Sequence, residues 1–222
     1  MPLSTFTFDP ELLPVDAVAG EAALGHERML QDWLRERFAA PPEWAPETAD
    51  PSLSGRAMIA ASVLVLLVQR ANGLNLLLTR RTDHLTAHAG QISFPGGRAE
   101  PGDASAIDTA LRETEEEIGL ARSLIDVIGL LPDYVTSSGY RVTPVVGLVH
   151  PPFVLTPDPN EVADVFEVPL AFLMDGMNHQ RLSVELPDGA GRRHFYAIPY
   201  GPHFIWGATA GMLRNLFHLL RA

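Results

Sequence analysis

No cysteine occurs among the 222 residues, which excludes disulfides and thiolate metal sites and fits a reducing compartment. Long apolar runs are missing too. The longest, Ala57 to Val68, is interrupted by Ser62 and falls short of the roughly 20 residues that a spanning helix needs. The first ten residues show no basic segment followed by an apolar stretch, so no secretory leader is read there. The closing Leu220-Arg221-Ala222 is not a peroxisomal address. These absences set the expectation of a cytoplasmic protein. Positive charge is scarce: 16 basic against 27 acidic residues give a formal net charge of -11. Such a surface repels a phosphate backbone, so no nucleic-acid partner is expected, and no membrane partner either. A polyanionic small molecule would need a local cation or a few arginines to reverse the sign at its site.

What is present is ordinary for a globular chain: 46% apolar and 19% charged residues argue against disorder, and the length suits one decorated domain. Residues 1–50 read as an N-terminal helical extension with a Pro-rich connector. Leu24, Met29, Leu30, Trp33, Leu34 and Phe38 fall near helical spacing within Glu21 to Ala39, and Pro41, Pro42, Pro46 and Pro51 follow. Residues 51–222 read as the main domain. Ala57–Gln69 and Leu74–Arg81 flank Asn72-Gly73, a strong hairpin signal. A helix is expected from Asp103, as N-cap, to Ile118, with Gly119 just past its end. Strands are expected at Ile125–Leu131, Val142–Val149, Val162–Val168, Arg181–Leu186 and Arg193–Ile198, with a turn at Asp188-Gly189 and a last helix from Thr209 to Leu220. This order predicts a mixed α/β (α+β) fold, a sheet sandwiched between helices.

The inner helix carries the chemistry. Ile107, Ala110, Leu111, Thr114 and Ile118 form a stripe facing the core. Glu113, Glu116 and Glu117 share another face, with Cβ atoms about 5–6 Å apart. An acidic cluster on a helix is most simply a solvated face. Here it sits at the C-terminal end, where the helix dipole disfavours negative charge, and no lysine balances it; only Arg112 stands at i−4 from Glu116. A hard divalent cation with oxygen ligands would resolve the repulsion. Upstream, Gly96-Gly97 and Gly102 suggest close backbone approach to a ligand, without the Gly-Lys-Ser/Thr ending of a Walker loop.

Taken together, Gly97-Arg98-Ala99-Glu100-Pro101-Gly102-Asp103 and Arg112-Glu113-Thr114-Glu115-Glu116-Glu117-Ile118-Gly119-Leu120 resemble the Nudix box. That pattern is Gly, five residues, Glu, seven residues, then Arg-Glu-apolar-x-Glu-Glu-x-Gly-apolar. Asp103 stands where the pattern has Glu, eight residues rather than seven separate it from Arg112, and Thr114 replaces the apolar residue. The resemblance implies a Nudix-type fold and hydrolysis of a diphosphate by water with Mg²⁺, or Mn²⁺ in its place. It assigns Glu113, Glu116 and Glu117 as metal ligands, with the Gly97 carbonyl as a further one, and Arg112 as the residue that orients the glutamates. The general base is left between Glu116 and Glu161, the latter just before a strand.

Further upstream, Leu77-Leu78-Thr79-Arg80-Arg81 and Gly90-Gln91-Ile92-Ser93-Phe94-Pro95-Gly96-Gly97 resemble the additional signature of the coenzyme A pyrophosphatase branch, as does Ile205-Trp206-Gly207-Ala208-Thr209-Ala210. Thr82 replaces the usual Ser or Ala, and Thr86 stands where a second Arg is expected. This implies coenzyme A, or a derivative, as substrate, with 3′,5′-ADP and 4′-phosphopantetheine as products. Arg80, Arg81, Gly90, Gly96 and Arg98 are then the substrate-binding residues. Other Nudix substrates (ADP-ribose, NADH, dinucleoside polyphosphates) remain open, as do a non-catalytic Nudix-fold sensor and a fold-sharing isomerase. His84 and His88, four apart, have no third metal ligand in view.

Overall fold

Residues 63–68 are apolar without a break, the pattern of a strand covered on both faces. The computed structural model describes residues 8–47, 58–83, 89–187 and 191–222, and this run lies at the centre of its larger sheet. In chain order the described residues form β1 (Val15–Val18), α1 (Gln31–Ala39), β2 (Ile59–Arg70), β3 (Gly73–Arg81), β4 (Ile92–Ser93), β5 (Gly96–Arg98), α2 (Ala106–Ile118), β6 (Asp126–Leu130), β7 (Tyr134–Val135), β8 (Tyr140–Val149), β9 (Val162–Pro169), α3 (Leu170–Leu173), β10 (Gln180–Glu185), β11 (Arg192–Tyr200), β12 (His203–Trp206) and α4 (Gly207–Arg221). The larger sheet runs β4-β3-β2-β8-β6, with β5 beside β2, β7 beside β8 and β9 beside β3. β2 pairs parallel with β8 and antiparallel with β3. A second sheet runs β1-β10-β11-β12.

Strand alternation sends successive side chains of β2 to opposite faces. Leu64, Leu66 and Val68 pack with Ala110 and Ile118 of α2. Val65 and Leu67 pack with Leu34 of α1 and with Leu213, Leu216 and Phe217 of α4. Each such burial is worth about 1.5–3 kcal/mol, so β2 ties both helical layers to one sheet. The expected mixed sheet between helices is what forms. The β2–β3 hairpin also forms, one residue earlier than the Asn-Gly signal suggests: Arg70 pairs with Gly73, and the two linking residues are Ala71 and Asn72. Gly73, at φ +116, is the position that requires glycine.

The last helix starts two residues earlier than expected, at Gly207, and two other helix starts differ as well. α2 is capped by Ser105, whose Oγ accepts the Asp108 N–H, and not by Asp103; the Asp103 carboxylate is engaged by Arg112 instead. Gly119 ends the helix at φ +69 as expected. At the N-terminus no continuous helix spans residues 21–39. The Gly20 N–H donates to the Gly176 carbonyl and the Leu24 N–H to the Met174 carbonyl, holding that stretch extended. A single 3-10 turn follows at His26–Met29 before α1. Tertiary hydrogen bonds here override helical spacing. His84, Thr86, His88, Pro51 and the Asp188-Gly189 turn lie outside the described residues.

The N-terminal residues are bound to the rest of the chain through Arg214 of α4, which is only 2% exposed. Its guanidinium donates to both carboxylate oxygens of Glu21 at 2.7 and 3.1 Å, lies 3.8 Å from Glu47, and meets His179 Nδ1 at 3.1 Å and His218 Nε2 at 3.0 Å. Glu21 and Glu47 both come from the segment before β2. Arg28 donates to the carbonyls of Leu220 and Arg221 at the end of α4, satisfying acceptors that a helix C-terminus leaves free.

Candidate active site

The glycines before α2 are pressed against its glutamates. Gly96 takes φ +151, where a side chain would strike the Ser62 carbonyl and Val63, and its N–H donates to Glu117 Oε2 at 3.2 Å. A Cβ on Gly97 would lie 2.5–2.6 Å from the Glu113 carboxyl. The close approach that the glycines suggested is therefore to the protein's own carboxylates. β5, carrying both, pairs with the start of β2, and α2 packs across them.

Arg112 gathers the outer part of the cluster. It binds Asp103 through two parallel hydrogen bonds (Nε to Oδ1 at 2.9 Å and Nη2 to Oδ2 at 3.0 Å), the strongest form of carboxylate pairing. Its Nη1 donates to Glu116 at 2.8 Å and lies 3.1 Å from Glu113; Nη2 also donates to the Arg98 carbonyl. Asp103 further accepts the Glu100 N–H and the Thr109 hydroxyl, each at 2.9 Å. The Arg112 guanidinium holds the Asp103 carboxyl well below the usual range. The departures from the box at this point thus keep a carboxylate on Arg112.

Glu113 and Glu117 are set apart by burial. Glu117 is only 5% exposed, and burial pushes its carboxyl up to about 7; the Gly96 N–H and Arg81 oppose that shift, and the charges of Glu113 and Glu161 add to it. Burial likewise raises Glu113, with Arg112 opposing and Glu116 and Glu161 adding. Glu161 reaches this neighbourhood because its loop is tied to the end of α2. The Thr156 N–H donates to the Ile118 carbonyl and the Asp158 N–H to the Glu117 carbonyl.

The structure therefore brings Glu113, Glu116, Glu117, Arg112, Gly96, Gly97 and Glu161 together, and adds Arg81, whose Nη1 lies 3.6 Å from Glu117. It does not join Arg80 to them: Arg80 pairs with Asp83 at 3.6 Å, beside Gly90, at φ +69 in the turn before β4. Arg98 is exposed and contributes its carbonyl. Sequence reasoning missed Asp103 and Thr109 as supports of Arg112; the only signal was an acidic residue near the box position of a Glu.

Among the described residues no three carboxylate or imidazole groups converge closely enough, as they stand, to chelate a cation. The glutamates turn instead to Arg112, Arg81 and the Gly96 N–H. The donor set nonetheless suits a hard divalent ion, since three carboxylates share one helical turn and two, the buried Glu117 and the half-buried Glu113, are held out of water against their own repulsion. Among the described residues no helix is long and apolar enough to cross a membrane.

Comparison with known proteins identifies the family. The NUDIX domain family matches residues 58–183. A protein of Yersinia enterocolitica named uncharacterized Nudix hydrolase NudL is 44% identical over 156 residues, which are 70% of this chain and 78% of that protein. Its namesake from Yersinia pestis is 44% identical over 70% of this chain and 77% of its own length. Among solved structures, a MutT/nudix family protein from Enterococcus faecalis aligns over 84% of this chain and 73% of its own, with a TM-score of 0.45 and 16% identity. On the domain match, which covers more than half the chain, and on these relatives, the chain belongs to the Nudix hydrolase family, whose members cleave diphosphates of nucleoside derivatives with divalent cations.

Proposed function

We propose that this Nudix hydrolase cleaves the diphosphate of coenzyme A or a derivative to 3′,5′-ADP and 4′-phosphopantetheine, with Mg²⁺ as the resident ion and Mn²⁺ able to replace it. The observation that carries the catalytic part is the buried Glu117 and the half-buried Glu113, held against Gly96-Gly97 with Glu161 beside them. Glu113, Glu116 and Glu117 would hold the ion, with the Gly97 carbonyl alongside. Bound there, the cation neutralises non-bridging phosphate oxygens and makes water a better nucleophile. Arg112, fixed by Asp103, orients Glu116 and Glu113. Glu161 takes the proton as the water oxygen attacks one phosphorus and the bond to the bridging oxygen breaks. Two features favour Glu161 over Glu116 as base: Arg112 engages Glu116, whereas among the described residues no ion pair is formed by Glu161. Arg81, beside Glu117, is the arginine best placed for phosphate, with Arg98 at the rim. Arg80 and Gly90 belong with the substrate on the sequence signature alone.

The deciding experiment is product analysis with coenzyme A and Mg²⁺, alongside ADP-ribose, NADH, a dinucleoside polyphosphate and a no-metal control. Metal-dependent release of 3′,5′-ADP, faster than cleavage of the others, is expected. Preferential cleavage of another compound would keep the mechanism and discard the substrate. Glu161→Gln is expected to lower kcat by about 10²-fold or more; an unchanged kcat would return the base to Glu116.

A further inference from the structure

The run of residues 205–210 lies beyond the matched residues 58–183 and has no role in the chemistry above. It contains the second half of β12 and the first turn of α4. Ile205 and Ala210 are fully buried, and Gly207, at φ +63, turns strand directly into helix. Thr209, 6% exposed, donates its hydroxyl proton to the Ile92 carbonyl at 2.9 Å, across 117 residues of sequence. A helical Thr more often bonds back within its own helix.

Ile92 opens β4, and Phe94-Pro95 connect β4 to the glycines of β5. The Ser93 carbonyl accepts the Thr79 hydroxyl, Phe94 is 1% exposed, and the Pro95 carbonyl accepts the Leu64 N–H at 2.8 Å. Then come the Gly96 N–H on Glu117 and Gly97 against Glu113. With Phe94 sealed in the core, residues 92–97 have little slack, because packed interiors transmit displacement rather than absorb it. We infer that Thr209 is a positioning residue for the active site: its hydroxyl fixes Ile92 at the start of the segment, residues 92–97, that runs through β4 into β5 and presents Gly96 and Gly97 to the glutamates. The Arg214 cluster, five residues further along α4, fixes the helix from which it acts. The consequence for metal binding rests on the reading of Glu113 and Glu117 as ligands; the positioning itself does not.

The test compares Thr209→Val, which keeps the branched shape without the hydroxyl, with Thr209→Ser, which keeps the hydroxyl and loses a buried methyl. Four quantities are read: the Gly96 amide resonance by NMR, Mn²⁺ affinity from the paramagnetic resonance of the free ion, kcat and KM. Thr209→Val is expected to move the Gly96 resonance, to weaken Mn²⁺ binding and lower kcat by roughly tenfold each, and to leave KM within about twofold. Thr209→Ser keeps all four near wild type while lowering Tm. An unmoved Gly96 resonance in Thr209→Val overturns the inference, as does loss of kcat that follows Tm in both variants. Glu117→Gln separates the two layers. If it binds Mn²⁺ like wild type while Thr209→Val still moves Gly96, the ligand reading falls and the positioning stands.

Discussion

Glu117→Gln is expected to lower kcat by about 10³-fold or more, from the several kcal/mol that a bound cation contributes at about 1.4 kcal/mol per decade, while Tm stays level or rises. The two effects have one cause. Glu117 is 5% exposed and burial pushes its carboxyl up to about 7, so its charge is carried at a cost to the fold. A glutamine of the same shape still offers an amide oxygen to the Gly96 N–H, and it removes the repulsion with Glu113 and Glu161. It gives up the Arg81 contact, which at 3.6 Å is a loose one. Sites built for function often hold such strain, and relieving it trades activity for stability. The check is kcat beside a thermal melt and a Mn²⁺ titration. A near-wild-type kcat would remove Glu117 from the ligand set. A collapse of Tm would show that its charge serves the fold.

The outline of this site was legible because it is local. The spacing of Glu113, Glu116 and Glu117 fixes their common placement on any helix that forms, and the core stripe Ala110-Thr114-Ile118 fixes which side is inward; Thr114 is tolerated there because its hydroxyl returns to the Ala110 carbonyl at 2.7 Å. What spacing cannot show is how the face is divided. Glu117 is buried while the Glu116 side chain is 60% exposed, a difference set by β5 and β2 packing on one flank only. Arg80 and Arg81 are neighbours in sequence but take different partners, because β3 sends adjacent side chains to opposite faces and has an irregular register between them. The central strand and the sandwich followed from β2, whose apolar run admits only a doubly covered position. The N-terminal segment did not, because its conformation is decided by partners such as Met174, Gly176 and Arg214, far along the chain.

For that same reason, we propose that residues 1–50, although they read as an extension in the sequence, cannot be removed without loss of the fold. Glu21→Gln with Glu47→Gln is expected to cost about 3–5 kcal/mol in urea unfolding, the usual penalty for stranding a buried charge. Arg214 would then sit among His179 and His218 with no carboxylate. Arg214→Met should cost less, since it removes the cation and leaves Glu21, at 21% exposure, free to rehydrate. Equal losses would mean that packing, not charge, binds the segment. Acid gives an independent reading. Burial pulls the His179 pKa down to about 4 from 6.5, the Leu173 carbonyl opposes that, the Arg214 charge assists it, and the charges of Glu21 and Asp175 oppose it weakly. The unfolded chain therefore takes up this proton first as pH falls. Its contribution is complete above pH 6.5 and is lost between 6.5 and about 4, about 3 kcal/mol for a shift of this size. Glu21, drawn down to about 2 from 4.5 chiefly by its hydrogen bonds with Arg214, adds a second loss only below 4.5. Glu117, raised from 4.5 to about 7, titrates across the same window with the opposite sign, so the comparison is made in a Glu117→Gln background, where His179→Phe should flatten the first window and leave the second. A slope between pH 6.5 and 4.5 that survives this substitution would place the acid sensitivity outside the Arg214 cluster.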